Sequence, residues 1–226
     1  TYTKREVDNI TTSNAETTCT TDIANMNRLF NGAESFNADL SSWDVSKVTD
    51  MRRMFRDAKT FNADLSHWDV SNVTNMERMF SDASSFESNL SEWDVSGVTD
   101  MSRMFQGAVS FNSDISNWDV GLVGDMKNMF SGASSFSGDL SSWDVSNVTS
   151  MNAMFQKATS FNSDIGDWDV SSVSGMQRMF EEAASFNQDL SDWCVQLIDS
   201  EPYWFDDGSP LESYNDYQPQ WGTCPS

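Results

Sequence analysis

Large apolar residues recur along this chain at a fixed interval of 25 residues. Tryptophan occupies seven positions of this series, namely Trp43, Trp68, Trp93, Trp118, Trp143, Trp168 and Trp193. Phenylalanine follows the same interval twice, in series that begin at Phe30 and Phe36, and methionine follows it from Met26. The interval holds without insertion from about residue 19 to residue 195. A period of this length is typical of stacked repeats, so the sequence predicts a solenoid of seven 25-residue units.

Within one unit, the apolar spacing predicts a strand and a short helix. Leu65, Trp68 and Val70 have the spacing of a leucine-rich-repeat strand. Because strand side chains alternate, Trp68 and Val70 should point inward and Asp69 outward. The stretch from Val73 to Ala83 carries apolar residues three and four apart, which indicates a short helix. The predicted fold is an α/β solenoid: a right-handed, leucine-rich-repeat-like coil with a parallel β-sheet on one face and short helices on the other.

A polar column accompanies the apolar ones. Its asparagines are Asn37, Asn62, Asn112, Asn162 and Asn187, with Glu87 and Ser137 at the two other positions. We expect an asparagine ladder in which buried side chains satisfy backbone groups of the turn.

From Phe61 to Ala83 the chain has the sequence FNADLSHWDVSNVTNMERMFSDA, and the other units follow it closely. This resembles the repeats of the BspA-like leucine-rich-repeat surface proteins, which are also found in mycoplasma surface lipoproteins. The resemblance covers about residues 19–195. It implies a secreted or surface-displayed array, in some members tied to adhesion to host matrix proteins or to other cells. It carries over no catalytic residue.

Charge narrows the range of partners. Thirty-five acidic and 13 basic residues give a net charge of −22. Such a chain repels nucleic acid and anionic membranes, and it favours cations, basic proteins or neutral glycans. No run of 18 apolar residues is present, so we expect no transmembrane segment. One histidine and three cysteines leave little for catalysis, so we expect a non-enzymatic protein with no cofactor except possible calcium.

Acidic residues occupy the outward positions of the predicted strands. We call this set the acidic file: Asp44, Asp69, Asp94, Asp119, Asp144 and Asp169, with Glu92 and Asp167 two residues before the aspartates of their units. Stacked carboxylates repel one another, so something must offset the repulsion. One interpretation is local hydrogen bonding to a backbone amide or to the serine that follows in most units. The other is a surface that recruits cations or basic side chains, with Asp119, Asp144 and Asp169 as candidate calcium ligands.

Arginine also follows the period. We call Arg28, Arg53, Arg78, Arg103 and Arg178 the arginine column. Arg53 and Arg103 come three residues after Asp50 and Asp100, so we expect local ion pairs along the predicted helix.

The three cysteines predict one disulfide. Cys19 and Cys194 lie seven units apart, which is too far for a bridge, so we expect Cys194 to pair with Cys224. Such a bridge would indicate an oxidising compartment. Cys19 is then the odd thiol, with a partner in an upstream segment, in a second copy of the chain, or nowhere.

Departures from the period divide the chain into an N-terminal flank or cap (1–18), the solenoid (19–195) and an aromatic-rich C-terminal cap (196–226). The aromatic residues of the tail are Trp204, Phe205, Tyr214, Tyr217 and Trp221. They either cover the end of the apolar columns or form a glycan-binding platform.

The functional hypothesis is a secreted or cell-surface recognition and adhesion module that binds a protein or glycan through the acidic file. The alternative is a calcium-responsive or mineral-associated acidic scaffold. Glycosylation sequons stand at Asn9, Asn72, Asn89 and Asn147, and they matter only where the host glycosylates secreted proteins.

Overall fold

The computed structural model describes residues 3–4 and 9–225 and consists of 25-residue coils stacked in parallel. Isolated parallel bridges join equivalent positions of consecutive coils, the first at Asn25↔Asp50 and the last at Ser150↔Gly175. After each bridge, alternate N–H groups donate to carbonyls of the next coil, as Arg53 does to Glu77 at 2.9 Å. The repeat period predicted from the sequence is confirmed.

The predicted helices are wrong, because the described residues contain no α-helix. The stretch 73–83 forms consecutive turns, in the first of which the Met79 N–H donates to the Met76 carbonyl at 3.0 Å. Arg78, the third residue of this turn, has a φ of 56°, as in a type II turn. The turn that ends at Ala83 repeats this arrangement. Helical i→i−4 bonding is impossible here, because every fourth residue is left-handed and alternate N–H groups point toward the next coil.

The parallel sheet predicted at Leu65–Val70 is also absent, since this stretch makes a turn in which the Trp68 N–H donates to the Leu65 carbonyl at 3.1 Å. Here the coils are joined by indoles, and Trp93 Nε1 donates to the Leu65 carbonyl of the preceding coil at 3.0 Å. The regular elements of the described chain are the strands β1 (Thr3–Lys4) and β2 (Thr18–Cys19), paired in parallel, and short 3-10 helices at Ala15–Thr17, Pro210–Ser213 and Asn215–Tyr217.

The aromatic columns form the core between the turns. Phe55 stacks on Phe80 of the next coil at 5.6 Å between ring centroids, and on Phe61 of its own coil at 4.0 Å. Both series of phenylalanines continue this packing along the stack. Trp68 and Val70 are 3% and 1% exposed, so their predicted inward orientation is confirmed. Burial of these columns supplies the main stabilising free energy of the coils.

The asparagine ladder is present, but its side chains are exposed or half-buried rather than buried. Asn37 Oδ1 accepts a hydrogen bond from the Asn62 N–H at 2.8 Å, and Asn62 Oδ1 accepts one from the Glu87 N–H at 2.9 Å. The amides of Asn37, Asn62, Asn112 and Asn162 therefore each satisfy a backbone donor one coil later.

Both ends of the stack close the apolar columns. At the N-terminal end, the Ala15 carbonyl accepts the indole N–H of Trp43 at 3.0 Å. At the C-terminal end, Phe205 packs edge-on against Phe180 at 5.3 Å, and Trp221 packs edge-on against Phe205 at 5.0 Å. Residues 1, 2 and 5–8 of the predicted N-terminal flank lie outside the described residues.

Candidate binding surface

All eight residues of the acidic file are exposed. In most coils, the aspartate of the file binds the turn that it begins. Asp69 Oδ1 accepts the Ser71 N–H at 3.1 Å and the Ser71 hydroxyl at 2.6 Å. Asp44, Asp94 and Asp144 make the same pair of contacts with the serine two residues later. The structure therefore contains the local hydrogen bonding that was one of the two interpretations, and these bonds hold each carboxylate in a fixed orientation.

Two members of the file make a single contact of this kind. Asp119 Oδ1 accepts the Gly121 N–H at 3.0 Å, because glycine replaces serine in that coil. Asp169 Oδ1 accepts the Ser171 N–H at 3.0 Å.

The serine contacts lower the pKa of several aspartates of the file. Hydrogen bonds from the serine hydroxyl and then from its N–H lower the pKa of Asp94 and of Asp144 below the ordinary value. Hydrogen bonding by Ser171 lowers the pKa of Asp169, while burial and then the charge of Asp144 oppose this shift. A donor that favours the charged form of a carboxylate stabilises the anion, so Asp94, Asp144 and Asp169 keep their negative charge into mildly acidic solution.

Glu92 and Asp167, the two other members of the file, make no backbone contact of this type with the described residues. The Ser91 hydroxyl lies 3.4 Å from Glu92 Oε1, and both acidic side chains are exposed. These two residues can therefore be changed without removing a turn contact.

The candidate calcium ligands come together only in part. A Cβ placed on Gly121 would lie 3.2 Å from Asp119 Oδ1 and 3.6 Å from Asp144 Oδ2, so both carboxylates lie beside this glycine. Among the described residues, no group of three or more His, Cys, Asp or Glu side chains is arranged to hold a metal ion.

The predicted ion pairs of the arginine column are wrong in their partners. Asp50 binds Arg52, with 2.7 Å between Oδ2 and Nη2, while Arg53 reaches the next coil and binds Glu77 Oε1 through Nη2 at 2.9 Å. Sequence spacing missed Glu77 because its position holds a different residue type in the neighbouring coils, Arg52 and Ser102.

The structure joins Cys194 and Cys224 in a disulfide, as predicted. Cys19 lies half-buried on β2, and its Sγ is 3.5 Å from the Thr21 hydroxyl. The cysteine pair that forms is intramolecular, which gives no support to a dimer through Cys19.

Some aromatic residues of the tail cover the apolar columns, as in the first interpretation, and others are exposed. Phe205 is buried and Trp221 half-buried, so these two cover the columns. Trp204, Tyr214 and Tyr217 are exposed; the tyrosine rings stack at 5.3 Å, and Arg178 lies 4.1 Å over the Trp204 ring.

Two sequon asparagines join neighbouring coils. Asn72 Nδ2 donates to the Ser46 carbonyl at 2.8 Å, and Asn147 Nδ2 donates to the Gly121 carbonyl at 2.7 Å. A glycan on either nitrogen would have to alter this bond.

Within the described range, no helix has the length and apolar character that a membrane crossing requires.

Comparison with known proteins identifies the family. No curated protein matches the chain. A solved structure described as the crystal structure of a TLR13–ssRNA13 complex aligns with a TM-score of 0.31 and 12% identity, covering 83% of this chain and 30% of that chain. This chain thus spans less than a third of the length of that chain. We draw no conclusion about the fold from a TM-score this low. A family described as "Mycoplasma protein of unknown function, DUF285" matches residues 2–118 and 99–217. These ranges include nearly all of the repeats, and the chain belongs to the DUF285 family.

Proposed function

We propose that this protein is a non-enzymatic recognition module, secreted or displayed at a cell surface, that binds a basic protein segment or a glycan through the acidic file. The observation that carries the proposal is the fixed array of exposed carboxylates. In Asp69, Asp94 and Asp144, the contacts to the turn use Oδ1. Oδ2 therefore remains available to donors of a partner, at the same place in each of these three coils. Pre-oriented groups lose less conformational entropy on binding.

Charge distribution favours the C-terminal part of the file. Residues 1–113 carry a net charge of −7, and residues 114–226 carry −15. A cationic partner would therefore approach Asp119, Asp144 and Asp169 fastest, since complementary charge raises association rates.

Within the family, we assign the chain to the BspA-like leucine-rich-repeat proteins on the repeated WDVSxVTxMxxMF pattern, with a right-handed coil. The disulfide between Cys194 and Cys224 supports an oxidising, extracellular location.

The experiment uses the double variant Glu92→Lys/Asp167→Lys, because neither side chain caps a turn. Binding to a hexalysine peptide and to an array of neutral glycans is measured by surface plasmon resonance at 50 and 300 mM salt. We expect the variant to lose roughly tenfold in affinity for the bound probe at low salt. Asp216→Lys, an exposed position on the C-terminal cap, is the control and keeps wild-type affinity. Equal affinity of the double variant and wild type would reject this surface.

Calcium binding distinguishes the ion-binding scaffold from the recognition module. Isothermal titration with millimolar calcium that shows heat in the wild type, and none in Asp119→Asn/Asp144→Asn, would favour an ion-binding scaffold over the recognition module.

A further inference from the structure

The arginine column gathers cations on a different segment of the coil from the acidic file. Arg53, Arg78 and Arg103 occupy one position in three consecutive coils, with φ values of 56°, 56° and 58°. All three are half-buried. Burial and, next in size, the charge of Arg103 lower the pKa of Arg78, which shows that these guanidinium groups lie within electrostatic reach of each other.

Glu77 partly neutralises the first two members. Its Oε1 lies 2.9 Å from Arg53 Nη2 and 3.6 Å from Arg78 Nε. One carboxylate thus lies between the guanidinium groups of two consecutive coils. This is an intramolecular example of the ligand chemistry that arginine prefers, because its planar fork of N–H donors matches a carboxylate.

The next interval of the column lacks such a carboxylate. The position of Glu77 is taken one coil later by Ser102, whose hydroxyl donates to Asp100 Oδ1 at 2.7 Å. Among the described residues, no carboxylate oxygen lies within 4.0 Å of Arg103, and Arg78 has only the long contact to Glu77. A guanidinium group has five N–H donors, and partly buried charge without a partner is unfavourable.

We propose that Arg78 and Arg103 form a binding site for a carboxylate of a peptide partner, which lies between them as Glu77 lies between Arg53 and Arg78. The partner carries few negative charges, because the net charge of −22 repels extended polyanions such as sulfated glycans. The site is separate from the acidic file, and it stands or falls independently of the function proposed above.

The experiment follows the arginine Nε–Hε signals by NMR while acetyl-Gly-Glu-Gly-amide is added to the full chain. We expect saturable shifts at Arg78 and Arg103, and none with acetyl-Gly-Gln-Gly-amide. Arg103→Asn should lower the affinity roughly tenfold, the loss expected for hydrogen bonds to a charged group. The fold accommodates this change, since Asn128 occupies the same position in the next coil with a φ of 54°. Lys157→Gln, which removes one positive charge two coils beyond Arg103 and outside the arginine column, is the matched control and leaves the affinity unchanged.

A second variant creates, one coil earlier, another pair of arginines with no carboxylate between them. Glu77→Ser copies Ser102 and removes the carboxylate between Arg53 and Arg78, so the glutamate peptide should then also shift the Arg53 signal. The proposal is overturned if the glutamate and glutamine peptides act alike, if Arg103→Asn binds as wild type does, or if sodium sulfate at equal ionic strength shifts these signals more than the peptide does.

Discussion

At the scale of single residues, the turns depend on left-handed backbone at two positions of each coil. One column of such positions holds Gly32, Asp57, Asp82, Gly107, Gly132, Lys157 and Glu182, all with positive φ. A side chain in this region costs about 1–2 kcal/mol, whereas glycine adopts it freely. Hydrogen bonds between coils hold the other residue types there, as the Lys157 N–H does in donating to the Glu181 carbonyl at 2.8 Å. The coil conformation is thus imposed by stacking rather than by residue preference.

Gly132→Ala tests this cost. Gly132 has a φ of 74°, and a Cβ there would meet only Gly107, at an ordinary 3.6 Å. Backbone strain is therefore the main effect, and we expect a loss of about 1 kcal/mol in the free energy of unfolding, measured with urea. Gly124→Ala is the control: its φ is not positive, and a Cβ has nothing within 4 Å. Since alanine restricts the unfolded chain, Gly124→Ala should be neutral or slightly stabilising. Equal effects at the two sites would contradict the strain argument.

At the scale of the element, each coil is a series of turns, and three kinds of hydrogen bond to the neighbouring coils recur along the stack. Alternate backbone N–H groups bond to the next coil, asparagine side chains accept backbone N–H groups, and indole N–H groups bond to leucine or isoleucine carbonyls. Apolar residues three and four apart predict a helix, but consecutive turns bury the same positions. The inward and outward assignment of residues such as Trp68 and Asp69 therefore held although the elements did not.

Trp118→Phe tests the indole contact. Trp118 Nε1 donates to the Leu90 carbonyl at 3.0 Å, whereas the equivalent distance from Trp68 to the Leu40 carbonyl is 3.5 Å. Both substitutions remove similar apolar volume, but only Trp118→Phe breaks a short bond, after which the Leu90 carbonyl keeps the Trp93 N–H as a donor at 3.1 Å. We expect Trp118→Phe to cost roughly 1 kcal/mol more than Trp68→Phe in the free energy of unfolding by urea titration. The reverse order would show that the indole bonds do not hold the coils together.

At the scale of the whole molecule, the stack needs ends that differ from its interior. The C-terminal cap buries Phe205 and Leu211 and is joined by the disulfide to the last repeat. Asp206 is only 3% exposed within this cap, and its Oδ2 accepts a hydrogen bond from Gln218 Nε2 at 2.6 Å. Burial, followed by the charge of Glu201, raises the pKa of Asp206 to about 6. Sequence alone offered no signal for this residue among 35 acidic ones.

Asp206 gives the cap a pH dependence of defined sign. Because its pKa is higher in the folded than in the unfolded chain, its stabilising contribution is complete below the ordinary value of 3.8 and is lost as pH rises through about 6. We expect Asp206→Asn to be more stable than wild type at pH 7.5, with much less difference at pH 4. Hydrogen exchange of the Leu211 amide and urea unfolding measure this. Asp199→Asn, at an exposed site, is the control and should leave the pH dependence of wild type intact.

The sequence by itself determined the period, the identity of the buried columns, the outward position of the acidic file and the pairing of Cys194 with Cys224. These follow from spacing along one chain, because identical side chains at equal intervals can all be buried only when the coils stack. Tertiary structure decided that the coils consist of turns rather than strands and helices, that Arg53 binds Glu77 rather than Asp50, and that the file aspartates cap their own turns. The reason is physical: the backbone N–H groups and the charged side chains find their partners in adjacent coils or in the local shape of a turn, and neither exists until the chain has stacked.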